Sequence, residues 1–177
     1  MNQSQLGPTI ARYGLFGGLI LSVVFLISSI TGLNAGGSQV AGIMMGLLSF
    51  GICIVLVVAA IKKQRDEMQD GHITLGQCVL LGTGILVLAG LISTVVSLIY
   101  TNFIDPGYME RVIAAAEEKW EAAGMSQEQI EKAKSMTMSF KNPILSSATS
   151  MACYGIGGAI VSLIVGLIMK KEKPEFS

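Results

Sequence analysis

Few residues in this chain could carry acid–base, metal or redox chemistry, and they do not form a recognised catalytic pattern. The chain has one histidine, His72, and three cysteines, Cys53, Cys78 and Cys153. The cysteines are too widely spaced for a CxxC pair, and a second histidine that could complete a zinc ligand set is absent from the sequence. We therefore predict a protein that is not an enzyme, with no catalytic residue, no metal site and no cofactor, and we interpret the cysteines as small packing residues.

The densest group of carboxylates is formed by Glu117, Glu118 and Glu121. Two of them are adjacent in sequence, the third lies one helical turn further on, and no histidine is near. Such a group is typical of a solvated helix face, which we favour over the alternative of a metal site.

Charged side chains are absent from three long stretches, which point to a membrane protein. Only 14% of the residues are charged, and the mean hydropathy is +0.63, which excludes a soluble enzyme. Residues 13–61, 71–104 and 142–169 contain no Asp, Glu, Lys or Arg. A bilayer core of about 30 Å is crossed by a helix of about 20 residues, so the first stretch is long enough for two spans and the others for one each.

The predicted fold is an all-α, integral membrane four-helix bundle, formed by a single domain over residues 1–177. The turn formers NAGGSQ at residues 34–39 divide the first apolar stretch. The four spans are predicted at about 13–33, 40–61, 74–102 and 147–169. The first span could instead be a signal peptide, but its 21 apolar residues are long for one, and Leu33-Asn34-Ala35 is a poor cleavage site.

The distribution of Lys and Arg predicts the orientation of the spans. Seven basic residues lie near the span ends on the side that holds both termini and the second loop: Arg12, Lys62, Lys63, Arg65, Lys170, Lys171 and Lys173. The first loop, on the other side, has none. Since cytoplasmic loops are enriched in Lys and Arg, we expect both termini to be cytoplasmic. The zero net charge gives no reason to expect a nucleic-acid partner.

The polar segment between the third and fourth spans, about residues 105–141, is predicted to be an extracytoplasmic helical hairpin. Asp105 can cap a first helix that starts at Pro106, where the missing amide costs nothing. Gly124 is a suitable stop for that helix. Ser126 and Gln129 have the spacing of a capping box and should start the second helix.

Both hairpin helices carry an apolar stripe that must find a partner. The predicted stripes are Met109, Val112, Ile113, Ala116, Trp120 and Ala123 on the first helix, and Ile130, Ala133, Thr137 and Phe140 on the second. Trp120 is the only tryptophan. It could anchor the hairpin in an interface or in lipid headgroups, but we favour a role as filler between the two helices.

Small residues spaced four apart predict close packing of the spanning helices. They are Gly14, Gly18 and Ser22 in the first span, Gly42 and Gly46 in the second, Ser93 and Ser97 in the third, and Gly158, Ser162 and Gly166 in the fourth. These faces could close one bundle or also join two copies of the chain.

Three segments resemble a family known as domain of unknown function 4199, found mainly in the bacterial group Bacteroidetes. They are IKKQRDEMQDGHITLGQ at 61–77, LIYTNFIDPGYMERVI at 98–113 and LIVGLIMKKEKPEF at 163–176. Asp70 and His72 stand where family members often carry a second glycine and an aromatic residue. The resemblance implies a four-span inner-membrane protein with an external helical hairpin, and it implies no particular activity.

The first of these segments supplies the candidate site residues of the cytoplasmic face: Lys62, Lys63, Arg65, Asp66, Gly71, His72 and Gln77. They have a structural interpretation, in which Arg65 pairs with Asp66, Gly71 forms a tight turn and Gln77 bonds to a neighbouring helix. The alternative is a binding site for an anionic lipid headgroup.

Two classes of function fit the sequence. The first is a non-enzymatic accessory or assembly module whose partners are membrane lipid and either another membrane protein or a second copy of the chain. The alternative is an oligomeric small-solute transporter, channel or lipid-handling protein. Ion-coupled transporters usually hold ionisable groups at membrane depth, and the predicted spans contain none, which favours the first class.

Overall fold

The structure is a computed structural model that describes residues 6–33 and 39–171. Within them the backbone is helical apart from short connections. The helices are α1 (Leu6–Ile30), α2 (Gln39–Lys63), α3 (Leu75–Ile99), α4 (Tyr108–Ala122), α5 (Gln127–Ser139) and α6 (Pro143–Met169). One π-helical turn, Gln64–Met68, extends α2, and another, Tyr100–Ile104, extends α3.

Four of these helices are long and apolar enough to cross a membrane, which confirms the predicted fold class and indicates a multi-pass membrane protein. The span boundaries differ from the prediction at two places. Helix α1 begins at Leu6 rather than near residue 13, because Pro8 in its first turn and Arg12 on its exposed surface do not interrupt it. Helix α6 begins at Pro143, where the Asn142 side chain accepts hydrogen bonds from the first free amides. The predicted turn at residues 34–38 and the tail from residue 172 lie outside the described residues.

Helix α3 is the centre of the bundle, with α1 and α6 packed closely on its two sides. A Cβ atom at Gly18 of α1 would come within 2.6 Å of Ile92 Cβ, and one at Gly14 within 2.7 Å of Leu88 Cδ2. The small face of α6 approaches α3 in the same way, since a Cβ atom at Gly158 would lie 3.2 Å from Thr83 Cα and one at Gly166 2.8 Å from Cys78 Cβ. The predicted close packing is therefore confirmed for the first and fourth spans.

Close packing within the chain is not found at the small residues of the second span, and the prediction is wrong for a single bundle. The alternative, that this face joins two copies of the chain, stays a prediction. Apart from the backbone of α2 itself, no described atom lies within 4 Å of a Cβ built at Gly42 or Gly46. About 17% of the apolar window of α2 is buried inside the bundle, against 39% for α1 and α3. The physical reason is that α2 meets the bundle mainly through its last turns, where Val57, Ala60 and Ile61 have no exposed surface.

Helices α4 and α5 form an antiparallel pair, as predicted for the hairpin. Lys134 Nζ lies 2.8 Å from Glu117 Oε1, and Lys141 Nζ lies 3.6 Å from Glu110 Oε1, which fixes the register. Ile113 and Ile130 are buried, as is Tyr108 at the start of α4, while Trp120 is half-buried. The Ser126–Gln129 capping box is present, and Gly124 ends the first helix with a φ of +75°.

The predicted start of the hairpin is wrong in detail. Helix α4 begins at Tyr108, two residues after Pro106, and its N-cap residue Gly107 makes no side-chain cap. The Asp105 carboxylate is directed instead to the Tyr100 hydroxyl and to Arg111. The Arg111 guanidinium is a charged donor within reach, and its positive charge adds Coulomb attraction to the hydrogen bond with the carboxylate.

Candidate functional site

The predicted site residues lie at one end of the bundle, where the start of α1, the α2–α3 connection and the end of α6 meet. We call this the terminal end (residues 6–12, 62–77 and 165–171). Arg65 is its central side chain. Its Nε and Nη2 donate to the two carboxylate oxygens of Asp66 at 2.6 and 3.3 Å, and its Nη1 donates to the carbonyl of Met169 at 3.3 Å. The guanidinium therefore joins the end of α2 to the last turn of α6, where a positive charge also offsets the helix dipole.

The backbone adds a second connection between the same segments. Ile73 and Lys171 exchange two hydrogen bonds, of 2.9 and 3.0 Å, in an isolated antiparallel bridge. The turn that leads to it closes with a bond of 2.8 Å from the Gly71 amide to the Arg65 carbonyl. Asp70 and Gly71 have φ values of +50° and +79°. A positive φ is adopted most readily by glycine, which explains why position 71 is a glycine. The predicted tight turn is thus confirmed.

A buried hydrogen bond ties α1 to the same end. Thr9 Oγ1 donates to Gln64 Oε1 at 2.7 Å, and Gln64 has no exposed surface. Sequence reasoning missed this pair because its members are 55 positions apart and Gln64 stands within a charged run that resembles a surface loop. The π-helical turn that begins at Gln64 is where the side chain enters the bundle.

The other predicted residues of this end contribute locally. The prediction that Gln77 bonds to a neighbouring helix is wrong. Its side chain accepts a hydrogen bond from the Thr74 amide and completes a capping box at the start of α3. His72 Nδ1 lies 2.9 Å from the Asp70 carbonyl oxygen. Lys63 pairs with Glu67 at 3.5 Å, and Lys62 is exposed.

At the terminal end, therefore, the side chains of Arg65 and Gln77 are used within the chain. Lys62 and Lys171 are exposed and lie close enough to the Asp66 carboxylate to interact with its charge. This arrangement favours the structural interpretation of the motif, because the group best suited to hold a phosphate, the guanidinium, already has carboxylate and carbonyl partners.

The opposite end of the bundle carries α4 and α5, and we call it the hairpin end (residues 25–33, 39–46, 99–111 and 140–147). Three aromatic rings connect α1, the turn after α3 and α4 there. Phe25, Tyr100 and Tyr108 lie edge-to-face, with centroids 5.8 to 6.1 Å apart. Such packing fixes the first turn of the hairpin against two spanning helices.

Asp105 reinforces the aromatic contact. Its carboxylate accepts a hydrogen bond from the Tyr100 hydroxyl at 3.4 Å and is paired with Arg111. The hydrogen bond from the Arg111 guanidinium holds the pKa of Asp105 below its ordinary value, and the carboxylate raises the pKa of Arg111 in return. The predicted hairpin contact at Asp105 is therefore made, although by an ion pair rather than by a cap.

Between the spanning helices, next to the loosely packed half of α2, lies a cavity of about 300 Å³. All four spanning helices contribute to its wall. Its lining residues are Leu21, Val24, Phe25, Ser28, Gly42, Met45, Gly46, Ser49, Ser93 and Tyr154. The predicted small residues Gly42, Gly46 and Ser93 therefore line a space rather than a helix contact.

The comparisons with known proteins give one match. A model of the family described as Protein of unknown function (DUF4199) matches residues 12–171, a range that includes both ends of the bundle and the hairpin. No curated protein and no solved structure matches the chain.

Proposed function

This chain belongs to the family described as Protein of unknown function (DUF4199), and we propose that it is a non-enzymatic accessory or assembly protein of the bacterial inner membrane. In this proposal it works by binding another membrane protein. The hairpin of α4 and α5 is the part that makes the contact outside the membrane.

The observation that supports the proposal is the rigid attachment of the hairpin. A loop of about 40 residues without fixed structure would lose much conformational entropy on binding a partner. Here the two helices are paired by Glu117–Lys134 and anchored by the ring contact of Tyr108 with Phe25. A surface that is already ordered binds with less loss of entropy.

The contact face is the side of α5 that α4 leaves uncovered. Met136 is 61% exposed and Phe140 37%, and they lie one helical turn apart, followed by Ile144 with 81% exposed at the start of α6. Apolar side chains in such a row are suited to a helix of a partner that runs from the membrane into the hairpin layer.

Site-specific photocross-linking in the native host tests this contact. A photoreactive amino acid at Met136 should give one discrete protein adduct, while the same residue at Glu131, exposed on another side of α5, should give little. The Met136 adduct should disappear when Phe140 is replaced by Glu, and persist in Ser135→Glu. Equal, diffuse adducts from both positions would contradict the proposal.

The orientation in the proposal is tested separately. Single cysteines at Glu67 and Gln127, in a chain whose three natural cysteines are replaced, lie at opposite ends of the bundle. We expect an impermeant thiol reagent added to intact cells to label Gln127→Cys and not Glu67→Cys. The reverse pattern would place the hairpin in the cytoplasm.

A second candidate is an oligomeric transporter or channel for a small solute, and the cavity beside α2 is the observation that favours it. Liposomes that contain the purified protein should then show saturable solute flux across a panel of gradients. Gly46→Leu, which places a side chain in the cavity, should abolish the flux, and Gly51→Leu on the same helix should not. Absence of flux together with the Met136 adduct supports the accessory role.

A further inference from the structure

A groove of about 470 Å³ runs between α2 and α6 in the half of the bundle next to the terminal end. Its walls are Phe50, Ile54 and Val58 on α2 and five residues of α6 from Val161 to Met169, and each of these side chains is apolar. The lining segments rise by about 12 Å, close to the roughly 15 Å depth of hydrocarbon in one leaflet. Both helices run towards the terminal end, so the groove reaches the membrane surface between Val58 and Met169. We call this point the mouth of the groove.

Two lysines from opposite walls lie at the mouth. Lys62 is one helical turn beyond Val58, on the same i, i+4 row of α2 that lines the groove, and Lys171 follows Met169 by two positions. Both side chains are exposed. Both also lie close enough to the Asp66 carboxylate to interact with its charge. The two ammonium groups therefore lie near one point, although they are more than 100 positions apart in the sequence.

The charge at the mouth is positive. The Asp66 carboxylate is paired through both oxygens with Arg65, at 2.6 and 3.3 Å, so these two charges offset each other. In the described part of the chain, no carboxylate oxygen lies within 4.0 Å of the ammonium of Lys62 or Lys171. The mouth therefore attracts an anion through its lysines, while the guanidinium of Arg65 is used within the chain.

The position of these charges selects one class of anion. The phosphodiester of a phospholipid lies at the membrane surface, directly above the hydrocarbon chains of the same molecule. A soluble phosphate ester would contact the lysines but leave the apolar groove beneath them unused. In a zwitterionic lipid, an ammonium group of the headgroup itself already balances the phosphate. A lipid with net negative charge complements both the lysines and the groove.

We propose that the groove between α2 and α6 binds an anionic phospholipid, with an acyl chain along the apolar walls and the phosphodiester at Lys62 and Lys171. Arg65 has a positioning role, because its hydrogen bond to the Met169 carbonyl holds the two walls together at the mouth. The site goes beyond the proposed partner binding and does not rest on it.

Native mass spectrometry measures the selectivity of the site. The full-length protein in detergent micelles is mixed with equal amounts of phosphatidylglycerol and phosphatidylethanolamine that carry the same acyl chains. We expect the complex with one phosphatidylglycerol to be at least five-fold more abundant than that with one phosphatidylethanolamine. Equal binding of the two lipids would overturn the proposal. A dimer of the chain that excludes both lipids would assign the groove to a second copy instead.

Two double variants separate a site from general attraction between charges. Lys62→Gln/Lys171→Gln removes the charges at the mouth, and the preference for phosphatidylglycerol should fall below two-fold. Arg12→Gln/Lys63→Gln removes the same charge from the same end and should keep the preference. Arg12 belongs to α1, which packs on α3 rather than on α6, and Lys63 is paired with Glu67 at 3.5 Å. An equal loss in both variants would contradict a site at the mouth.

A photoreactive lipid tests the position of the acyl chain. Phosphatidylglycerol with a diazirine in one acyl chain is added to bilayers of phosphatidylethanolamine and phosphatidylglycerol, and adducts are mapped after illumination. We expect them to concentrate on Phe50–Val58 and Val161–Met169, and to fall at least three-fold in Lys62→Gln/Lys171→Gln. Adducts spread evenly over all four spanning helices would refute the groove as the binding site.

A competition experiment distinguishes the lipid from a soluble phosphate ester. Glycerophosphoglycerol, the headgroup of phosphatidylglycerol without its acyl chains, should leave the photoadducts unchanged at a hundred-fold excess, because it cannot occupy the groove. Loss of the adducts under this excess would show that the lysines bind soluble phosphate esters and that the lipid assignment is wrong.

Discussion

The two halves of α2 differ in how far they are buried in the bundle. The half at the terminal end is packed, with Val57, Ala60 and Ile61 fully buried. In the half at the hairpin end, Val40, Met44 and Leu47 are each more than 60% exposed. Both halves are apolar, so hydrophobicity does not separate them.

What separates the halves is the set of polar connections at the terminal end. Two connections hold the end of α2 there, the Thr9–Gln64 hydrogen bond and the contact of Arg65 with Met169. Gly42 and Gly46 have the same spacing as Gly14 and Gly18 but meet no neighbour. In lipid, where apolar burial gives little net drive, small residues permit a close approach and polar contacts help to decide where it occurs.

The largest expected effect comes from filling the closest helix contact. A Cβ at Gly82 of α3 would overlap the Ser162 hydroxyl and lie 3.0 Å from Val57 Cγ1. Gly82→Ala should therefore lower the free energy of unfolding by about 1–3 kcal/mol. Gly46→Ala, in the open half of α2, should leave it unchanged or raise it by up to about 1 kcal/mol through helix propensity. Unfolding titrations in mixed micelles measure both, and equal effects would mean that the halves are packed alike.

The next effect concerns the buried hydrogen bond. Thr9→Val keeps the shape of the side chain but leaves Gln64 Oε1 without its donor, which should lower the free energy of unfolding by about 1–2 kcal/mol. The double variant Thr9→Val/Gln64→Leu should recover most of that loss because both polar groups are removed. A double variant less stable than Thr9→Val would show that the pair is not what ties α1 to α2. Thermal unfolding monitored by circular dichroism is sufficient to rank the stabilities of the two variants and the natural chain.

Arg65→Gln should have a smaller effect, about 1 kcal/mol, because it removes the charged donor to the Met169 carbonyl. Hydrogen exchange should show the last turn of α6 opening more readily, while the hairpin is unaffected. Lys63→Gln is the control, since the exposed Lys63–Glu67 pair is worth at most a few tenths of a kcal/mol. If the protection of the last turn of α6 against hydrogen exchange is unchanged in Arg65→Gln, the Ile73–Lys171 backbone bridge is the contact that holds this turn.

The smallest effect is a pH dependence confined to the hairpin end. The pKa of Asp105 is lowered in the folded chain, so its contribution to stability is present above its ordinary pKa of about 4 and is lost as the pH falls through the lowered value. The protection factors of the α4 amides, which compare their hydrogen exchange with the intrinsic rate at the same pH, should therefore fall below about pH 4, and Asp105→Asn should remove this step. Glu118→Gln, on the exposed face of α4, should keep it. A parallel step in α2 would show that the two ends are not independent.

The sequence predicts those parts of the fold that depend on local patterns. Stretches without charge locate the four spans, and the Ser126–Gln129 spacing locates a helix start, because each follows from a few neighbouring residues. Residues with more than one available partner are predicted less well. Gln77 can bond to another helix or to its own first turn, and Asp105 can cap a helix or pair with Arg111, and only the folded chain decides.

Contacts between distant residues leave no local signal at all. The Thr9–Gln64 bond and the Ile73–Lys171 bridge depend on how four helices come together. The cavity is a further example, since Gly42 and Gly46 form the same pattern as a packed pair. The cavity forms because Gly42 and Gly46 lie on a face of α2 that no neighbouring helix approaches closely. Their spacing in the sequence does not show which face that is.

Helix α2 is attached to the bundle mainly at one end, so a small rotation at that end displaces its other end. From Val57 to Gln39 the helix is about 27 Å long, so a rotation of about 5° at the fixed end displaces the far end by about 2 Å. The contacts of Gln64 and Arg65 hold the fixed end. The width of the cavity beside the first half of α2 therefore depends on the angle at which α2 leaves the terminal end, without any change within the helices themselves.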